Sequence, residues 1–197
     1  YHNFSDDITV VGCWAHARRR FDEAVKSLPK DKKKGSSAAQ GLAYCDRLFA
    51  LEKEFAKLTP EERYEQRLKQ EKPVLDAFSA WAEKRTVAPK SALGKAMSYL
   101  KDQWPYLTNY LKDGRLEISN NRAERSIKSY VIDRKNFLFA NTPSGATGSA
   151  VMFSLIMTAL ENKLDPWRYL TWLMKNSDTV KDVEELLPWN APDDCKI

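Results

Sequence analysis

At 197 residues, 43% of them hydrophobic and 30% charged, the chain has the composition of an ordinary soluble globular protein. It is long enough to bury a real core in one domain, or in one domain carrying a large insertion. Its three cysteines, Cys13, Cys45 and Cys195, are odd in number and far apart, which argues against a disulfide framework and for a reducing cytoplasm. The net charge of +5 is uneven: from Asn176 to Ile197 six acids face two lysines, a net −4 that leaves +9 on residues 1–175. A basic body of this kind favours an acidic partner such as nucleic acid.

Tyr1-His2-Asn3-Phe4-Ser5-Asp6-Asp7 has neither a basic leader, an apolar core nor an initiator Met; it reads as mid-protein sequence, not as a signal peptide. No apolar run is expected to approach the roughly 20 residues of a membrane span. Ile8 to Cys13 is β-branched and apolar, the pattern of a buried strand. It leads into a helix from Trp14 to Val25 that Pro29 stops, and Lys30 to Ser37 is a charged, mobile loop. Leu42, Cys45, Leu48, Phe49, Phe55 and Leu58 then recur at helical spacing. Thr59-Pro60-Glu61-Glu62 is a helix start, with Thr as N-cap and acids at the positive end of the dipole. Pro73 should break or kink the helical pattern around it. Ser91 caps a further helix, which Trp104-Pro105 is expected to interrupt, and Asp113-Gly114 marks a turn.

Arg115 to Ile118 looks extended, and Ser119-Asn120-Asn121 offers N-caps for a helix over about Arg122 to Val131. Arg134 to Ala140 reads as extended again. A buried helix is expected from about Thr147 to Asn162, with Val151, Phe153, Leu155, Ile156 and Leu160 inside. Asp165-Pro166 starts a last helix. Trp81, Trp167 and Trp172 stand at helical spacing with other apolar residues and are expected in the core. Trp14 and Trp104 are open candidates for stacking on DNA bases. Cys13 and His16 form a C-x-x-H pair, but with only one other histidine the reading of a buried thiol is preferred to zinc.

The densest chemistry lies in Ser119-Asn120-Asn121-Arg122-Ala123-Glu124-Arg125-Ser126-Ile127-Lys128, with Arg134-Lys135-Asn136 close behind. Ala123, Ile127, Tyr130 and Val131 form an apolar stripe, with Glu124 at its edge and Arg122, Arg125 and Lys128 around it. A carboxylate at a core boundary amid bases could hold a divalent metal beside a phosphodiester. Asn121 and Glu124 are equally spaced as N-cap and N3, so Glu124 could simply close a capping box; the bases could be a solvated face.

Gly12-Cys13-Trp14-Ala15-His16-Ala17-Arg18-Arg19-Arg20-Phe21 resembles a signature of the insertion-sequence-66 family of DDE transposases. So do Asn120 to Lys128 with Arg134-Lys135-Asn136, Pro89 to Ala96, and Leu164 to Leu170. The resemblance covers about residues 1–175. Ser129 and Asp133 depart from it, standing where Pro and Gly are expected. It implies a mainly α chain, the C-terminal portion of a ribonuclease-H-like domain with a large helical insertion and one or two short residual strands. Residues 1–28 would hold the last sheet strand and following helix, and 29–114 the insertion. Residues 115–140 would hold the helix with the catalytic Glu and a basic extended segment, 141–175 the C-terminal helices, and 176–197 an acidic tail.

By the same resemblance Glu124 is the glutamate of a two-Asp, one-Glu site for Mg2+ or Mn2+, with both Asp residues upstream of Tyr1. The chain alone would then be inactive, and the full protein would cleave and transfer DNA strands at element ends. Arg18, Arg19, Arg20, Asn121, Arg122, Arg125, Lys128, Arg134, Lys135 and Asn136 would contact DNA at the terminal repeats and target. The expected partners are therefore DNA and, through the exposed edge of the strand expected at Ile8 to Cys13, further copies of the chain, with no membrane and no small-molecule substrate, in the nucleoid-associated cytoplasm. The competing readings are a non-enzymatic helical nucleic-acid-binding or oligomerisation module, and a ribonuclease-H-like nuclease or resolvase.

Overall fold

The computed structural model describes the backbone of residues 8–136 and 142–197, and the side chains of all of these except 133–136. The described residues are mainly helical and contain no strand. The chain divides into two compact units, Tyr1–Asn121 and Arg122–Ile197.

The first unit contains α1 (Trp14–Lys26), α2 (Lys30–Lys33), α3 (Ser37–Glu54), α4 (Pro60–Gln66), α5 (Lys72–Glu83) and α6 (Ala92–Leu107). Its starts obey local chemistry. Thr59 accepts from the Glu62 amide while Glu62 accepts from the Thr59 amide, a complete capping box with Pro60 in the first turn. Ser91 accepts from the Gly94 amide at the start of α6. Pro105 does not interrupt α6, which runs on to Leu107; so near the helix end, its missing N–H and its ring disturb only the last turn.

Ile8 to Cys13 is not a strand. Its backbone is held by the end of α6 and the 3-10 turn after it instead: the Gly12 amide donates to the Tyr106 carbonyl at 2.8 Å, and the Asn109 side-chain amide donates to Val10 O at 2.8 Å. Arg115 to Ile118, expected as extended, runs through turns and bends. Nor is Lys30 to Ser37 wholly loop, since α2 forms within it.

The core is one cluster. Trp14, Ala17 and Phe21, one face of α1, meet Cys45 and Leu48 of α3, Leu75 and Phe78 of α5, and Leu100 and Leu107 of α6. Trp14 is fully buried, and its indole N–H donates to Leu107 O at 2.8 Å. Around it Phe78, Tyr44, Trp81 and Trp104 form an aromatic group, with Tyr44 stacked on Phe78 at 4.7 Å.

Pro73 acts upstream of itself. Between α4 and α5 the helix widens into a π turn at Arg67–Glu71, the level at which a proline ring at position 73 presses on the carbonyl of Lys69. This turn carries two fully buried charged residues, Arg67 and Glu71. Arg67 grips the Glu52 carboxylate of α3 twice, at 2.6 and 2.9 Å. Its remaining N–H groups reach the carbonyls of Tyr110, Asp113 and Leu116 at 2.8–3.0 Å. The Tyr110 hydroxyl donates to Glu71 Oε2 at 2.6 Å, whereas Glu71 Oε1 has no hydrogen-bond partner among the described residues. A buried ion pair is stable only when its remaining donors are satisfied this way.

The second unit contains α7 (Asn121–Asn136), α8 (Pro143–Glu161) and α9 (Pro166–Asn176). Asp165 caps α9 through the Arg168 amide at 3.0 Å. Its core is small: Ala159, Leu164, Tyr169 and Cys195. Residues 176–197 fold back on α9 in short 3-10 turns. The Tyr169 hydroxyl donates to Leu186 O at 2.9 Å, the Asp165 amide to Cys195 O at 2.7 Å, and the Ile197 amide to Lys163 O at 3.0 Å. An isolated antiparallel bridge joins Leu164 to Lys196.

Two expectations fail in this unit. The helix expected to be buried is α8, yet Val151 is 53% and Leu160 43% exposed and only Ala159 is fully covered. Trp167, expected in the core, is 79% exposed. Apolar spacing predicts which face can be buried, but the described part of this unit offers few neighbours to bury it. Moreover, α8 carries no charge before Glu161 and is long and apolar enough, by length and composition, to cross a membrane. Its two glycines, three serines and two threonines equally suit close packing on protein.

Candidate functional site

The glutamate helix α7 is built from strong helix formers, among them Ala123, Glu124, Arg125 and Lys128, and it begins at Asn121 with Glu124 in its first turn. It is longer than the sequence suggested. Residues 134–136, expected as extended, continue the helix, while 137–140 lie outside the described residues. Ser129 and Asp133 are both compatible with a helix running through them. A proline at 129 would remove an intrahelical N–H and a glycine at 133 would weaken the next turn; neither is present.

Glu124, Arg125 and Lys128 are exposed, and so are Ile127 (58%) and Val131 (46%) of the expected apolar stripe. Glu124 thus stands on an open helix, not at the edge of a buried face. What α7 buries is the opposite edge. Tyr130 packs edge-to-face on Phe153 of α8 at 5.1 Å. Arg122 is engaged with protein: its guanidinium donates twice to Glu161 Oε2, at 2.6 and 3.0 Å. That pairing, chiefly the hydrogen bonds from Arg122, holds the Glu161 carboxyl below its ordinary range. The Ser126 hydroxyl donates to Arg122 O at 3.1 Å. A cavity of about 350 Å³ opens between α7 and α8, lined mainly by Ile127, Tyr130, Phe153 and Met157.

The arginines of α1 divide likewise. Arg18 pairs with Asp46 of α3 at 2.6 Å, and the Arg20 guanidinium lies over the Tyr99 ring of α6 at 4.3 Å. Both bind α1 to its neighbours. Arg19 is exposed. The α1 arginines belong to the first unit, and Arg122, Arg125 and Lys128 to the second. Arg134, Lys135 and Asn136 are helical in backbone, and their side chains lie outside the described set.

Glu124 offers the hard oxygen donor that Mg2+ or Mn2+ takes. Among the described residues, however, no group of three His, Cys, Asp or Glu side chains comes together, so the described donors do not form a complete metal site. Reasoning from sequence missed the buried Arg67, Glu52, Glu71 and Tyr110 group. Its hydrogen-bonded pairs lie 15 to 43 residues apart in the chain, too far for spacing to reveal them.

The family model for the IS66 family transposase matches residues 1–148, and that for the IS66 C-terminal element matches 154–189, reaching into the acidic segment. The chain belongs to the IS66 transposase family. Among curated relatives it is 32% identical over 193 residues to uncharacterized protein y4hP of Sinorhizobium fredii, covering 92% of this chain and 35% of that one. It is 32% identical over 192 residues to y4jD of the same organism, covering 94% and 37%. The chain therefore spans about a third of the length of the curated relatives it matches. No solved structure matches it.

Proposed function

We propose that this chain is the C-terminal part of the catalytic region of a DDE transposase, a ribonuclease-H-like enzyme that cleaves and joins DNA strands at element ends. The observation that carries the reading is Glu124. It is an exposed carboxylate in the first turn of α7, flanked by the exposed Arg125 and Lys128, inside the segment matched by the family model. A divalent metal held in such a site would supply Lewis-acid activation of an attacking oxygen and charge stabilisation at the leaving one. Glu124 would serve as one ligand, with the remaining carboxylates supplied by the rest of the longer protein. Arg19, Arg125 and Lys128 would hold DNA phosphates, giving binding that weakens steeply with salt. For the chain by itself, with no complete ligand set among its described residues, binding without cleavage is the corresponding behaviour.

The test is Glu124→Gln in the intact protein, assayed for strand cleavage on DNA carrying the element ends. Cleavage should fall by a factor of about 10²–10³, as when a group acting on developing charge is lost, while DNA binding persists. Unchanged cleavage would overturn the role of Glu124.

A further inference from the structure

A second, larger concavity lies wholly in the first unit. The end of α5, the connection 84–91 and one face of α6 enclose a groove of about 740 Å³, within the size range of roughly 300–1,000 Å³ common for ligand sites. Its apolar lining is Val87, Met97, Leu100, Trp104 and Pro105, and the exposed Arg85 and Lys101 line it too. From Lys84 to Lys101 the sequence has five cations and no acid. All five are exposed, and none of Lys84, Lys90, Lys95 and Lys101 forms an ion pair with a described carboxylate. One acid, Glu83, reaches the lining.

Two features make this more than a charged surface. Arg85 is pre-positioned: it donates to Gln40 Oε1 at 3.0 Å and lies over the Trp81 ring at 5.4 Å, with further N–H groups left for a ligand. Trp104 is fixed from behind by edge contacts with Trp14 and Phe78, at 5.9 and 6.1 Å, so a rigid aromatic borders the cavity. An anionic chain carrying flat apolar groups complements such a site, and this is the chemistry of single-stranded nucleic acid. A duplex keeps its bases stacked inside and cannot use an apolar lining.

We propose that the groove between α5 and α6 binds unpaired DNA, taking a nucleobase against Trp104 and Met97 and the flanking phosphates on Arg85 and Lys101. The choice of DNA as ligand rests on the transposase reading; the groove itself does not. It gives the helical middle of the chain a role in holding a displaced or frayed strand, separate from the glutamate helix.

The probe is fluorescein-labelled oligo-dT bound to the whole 197-residue chain, monitored by anisotropy across a salt series. Arg85→Glu combined with Lys101→Glu should weaken oligo-dT binding about tenfold or more and flatten the salt dependence by about 0.7 per lost phosphate contact. A duplex of equal length should be affected much less. Lys53→Glu combined with Lys57→Glu makes the same charge change on exposed lysines elsewhere and should cost less than about threefold. Trp104→Phe should keep most of the affinity and Trp104→Leu lose it; because Trp104 also packs on the core, circular dichroism accompanies each variant, and the charge pairs stand if Trp104→Leu fails to fold. Equal losses from both charge pairs would overturn the proposal. So would groove variants that keep oligo-dT but lose poly-glutamate, which would make the site one for acidic polypeptide. If the groove variants bind normally while Glu124→Gln blocks cleavage, only the groove falls; the reverse pattern removes only the catalytic reading.

Discussion

Replacing Gly12 with alanine would set a methyl carbon 2.8 Å from the Leu107 amide nitrogen and 3.0 Å from the Tyr106 carbonyl carbon. Both are backbone atoms in the last turn of α6, and neither can swing aside as a flexible side chain would. Gly12→Ala should therefore lower stability by about 1–3 kcal/mol, as overpacking does. The urea midpoint should fall with little change in slope; an unchanged midpoint would show that the backbones of Gly12 and α6 stand far enough apart to admit a methyl group. The rest of that signature behaves the same way. Trp14, Ala17 and Phe21 are core, and Arg18 and Arg20 fasten α1 to α3 and α6. From sequence the three adjacent arginines looked alike as phosphate contacts. Their difference depends on Asp46 and Tyr99, too distant in the chain for spacing to reveal.

At the level of elements, the helix starts were legible because caps are local: Thr59, Ser91 and Asp165 each bond within three residues. The π turn was legible only as a disturbance near Pro73, and the ion-pair network inside it was not legible at all. That network has a pH signature. Burial pushes the Glu71 carboxyl up to about 7, the Glu52 charge adds to the rise, and the Tyr110 hydroxyl bond and Arg67 oppose it. Unfolded, the same group titrates near 4.5. The folded state thus holds a proton that the unfolded chain releases between these values. The resulting stability is complete below pH 4.5 and lost as pH rises through about 7. Glu71→Gln keeps an acceptor for Tyr110 but has no proton to lose. Its urea midpoint should vary less than wild type's across that window, and parallel pH profiles would refute a protonated Glu71. The absence of a strand at Ile8 to Cys13 is the opposite case, where a β-branched run found helix ends rather than neighbouring strands to bond to.

On the scale of the whole molecule the two units differ in how much they bury. The first joins α1, α3, α5 and α6 in one aromatic-rich cluster, whereas the second closes on Ala159, Leu164, Tyr169 and Cys195. Local opening depends on the density of buried contacts. Amides of α8 and α9 should therefore exchange with deuterium at least about tenfold faster than those of α1 and α6 under native conditions. Uniform protection would mean that the chain opens as one cooperative body. This asymmetry was invisible in sequence, where α8 has the strongest claim of any helix to be interior. The six tryptophans share the same division. Trp14, Trp81 and Trp104 are buried or half-buried in the first unit, while Trp167 and Trp189 of the second stand 79% and 65% exposed beside the half-buried Trp172. Intrinsic fluorescence is therefore already a two-colour signal: the blue side of the emission band reports on one half of the chain and the red side, open to iodide quenching, on the other, with no label attached.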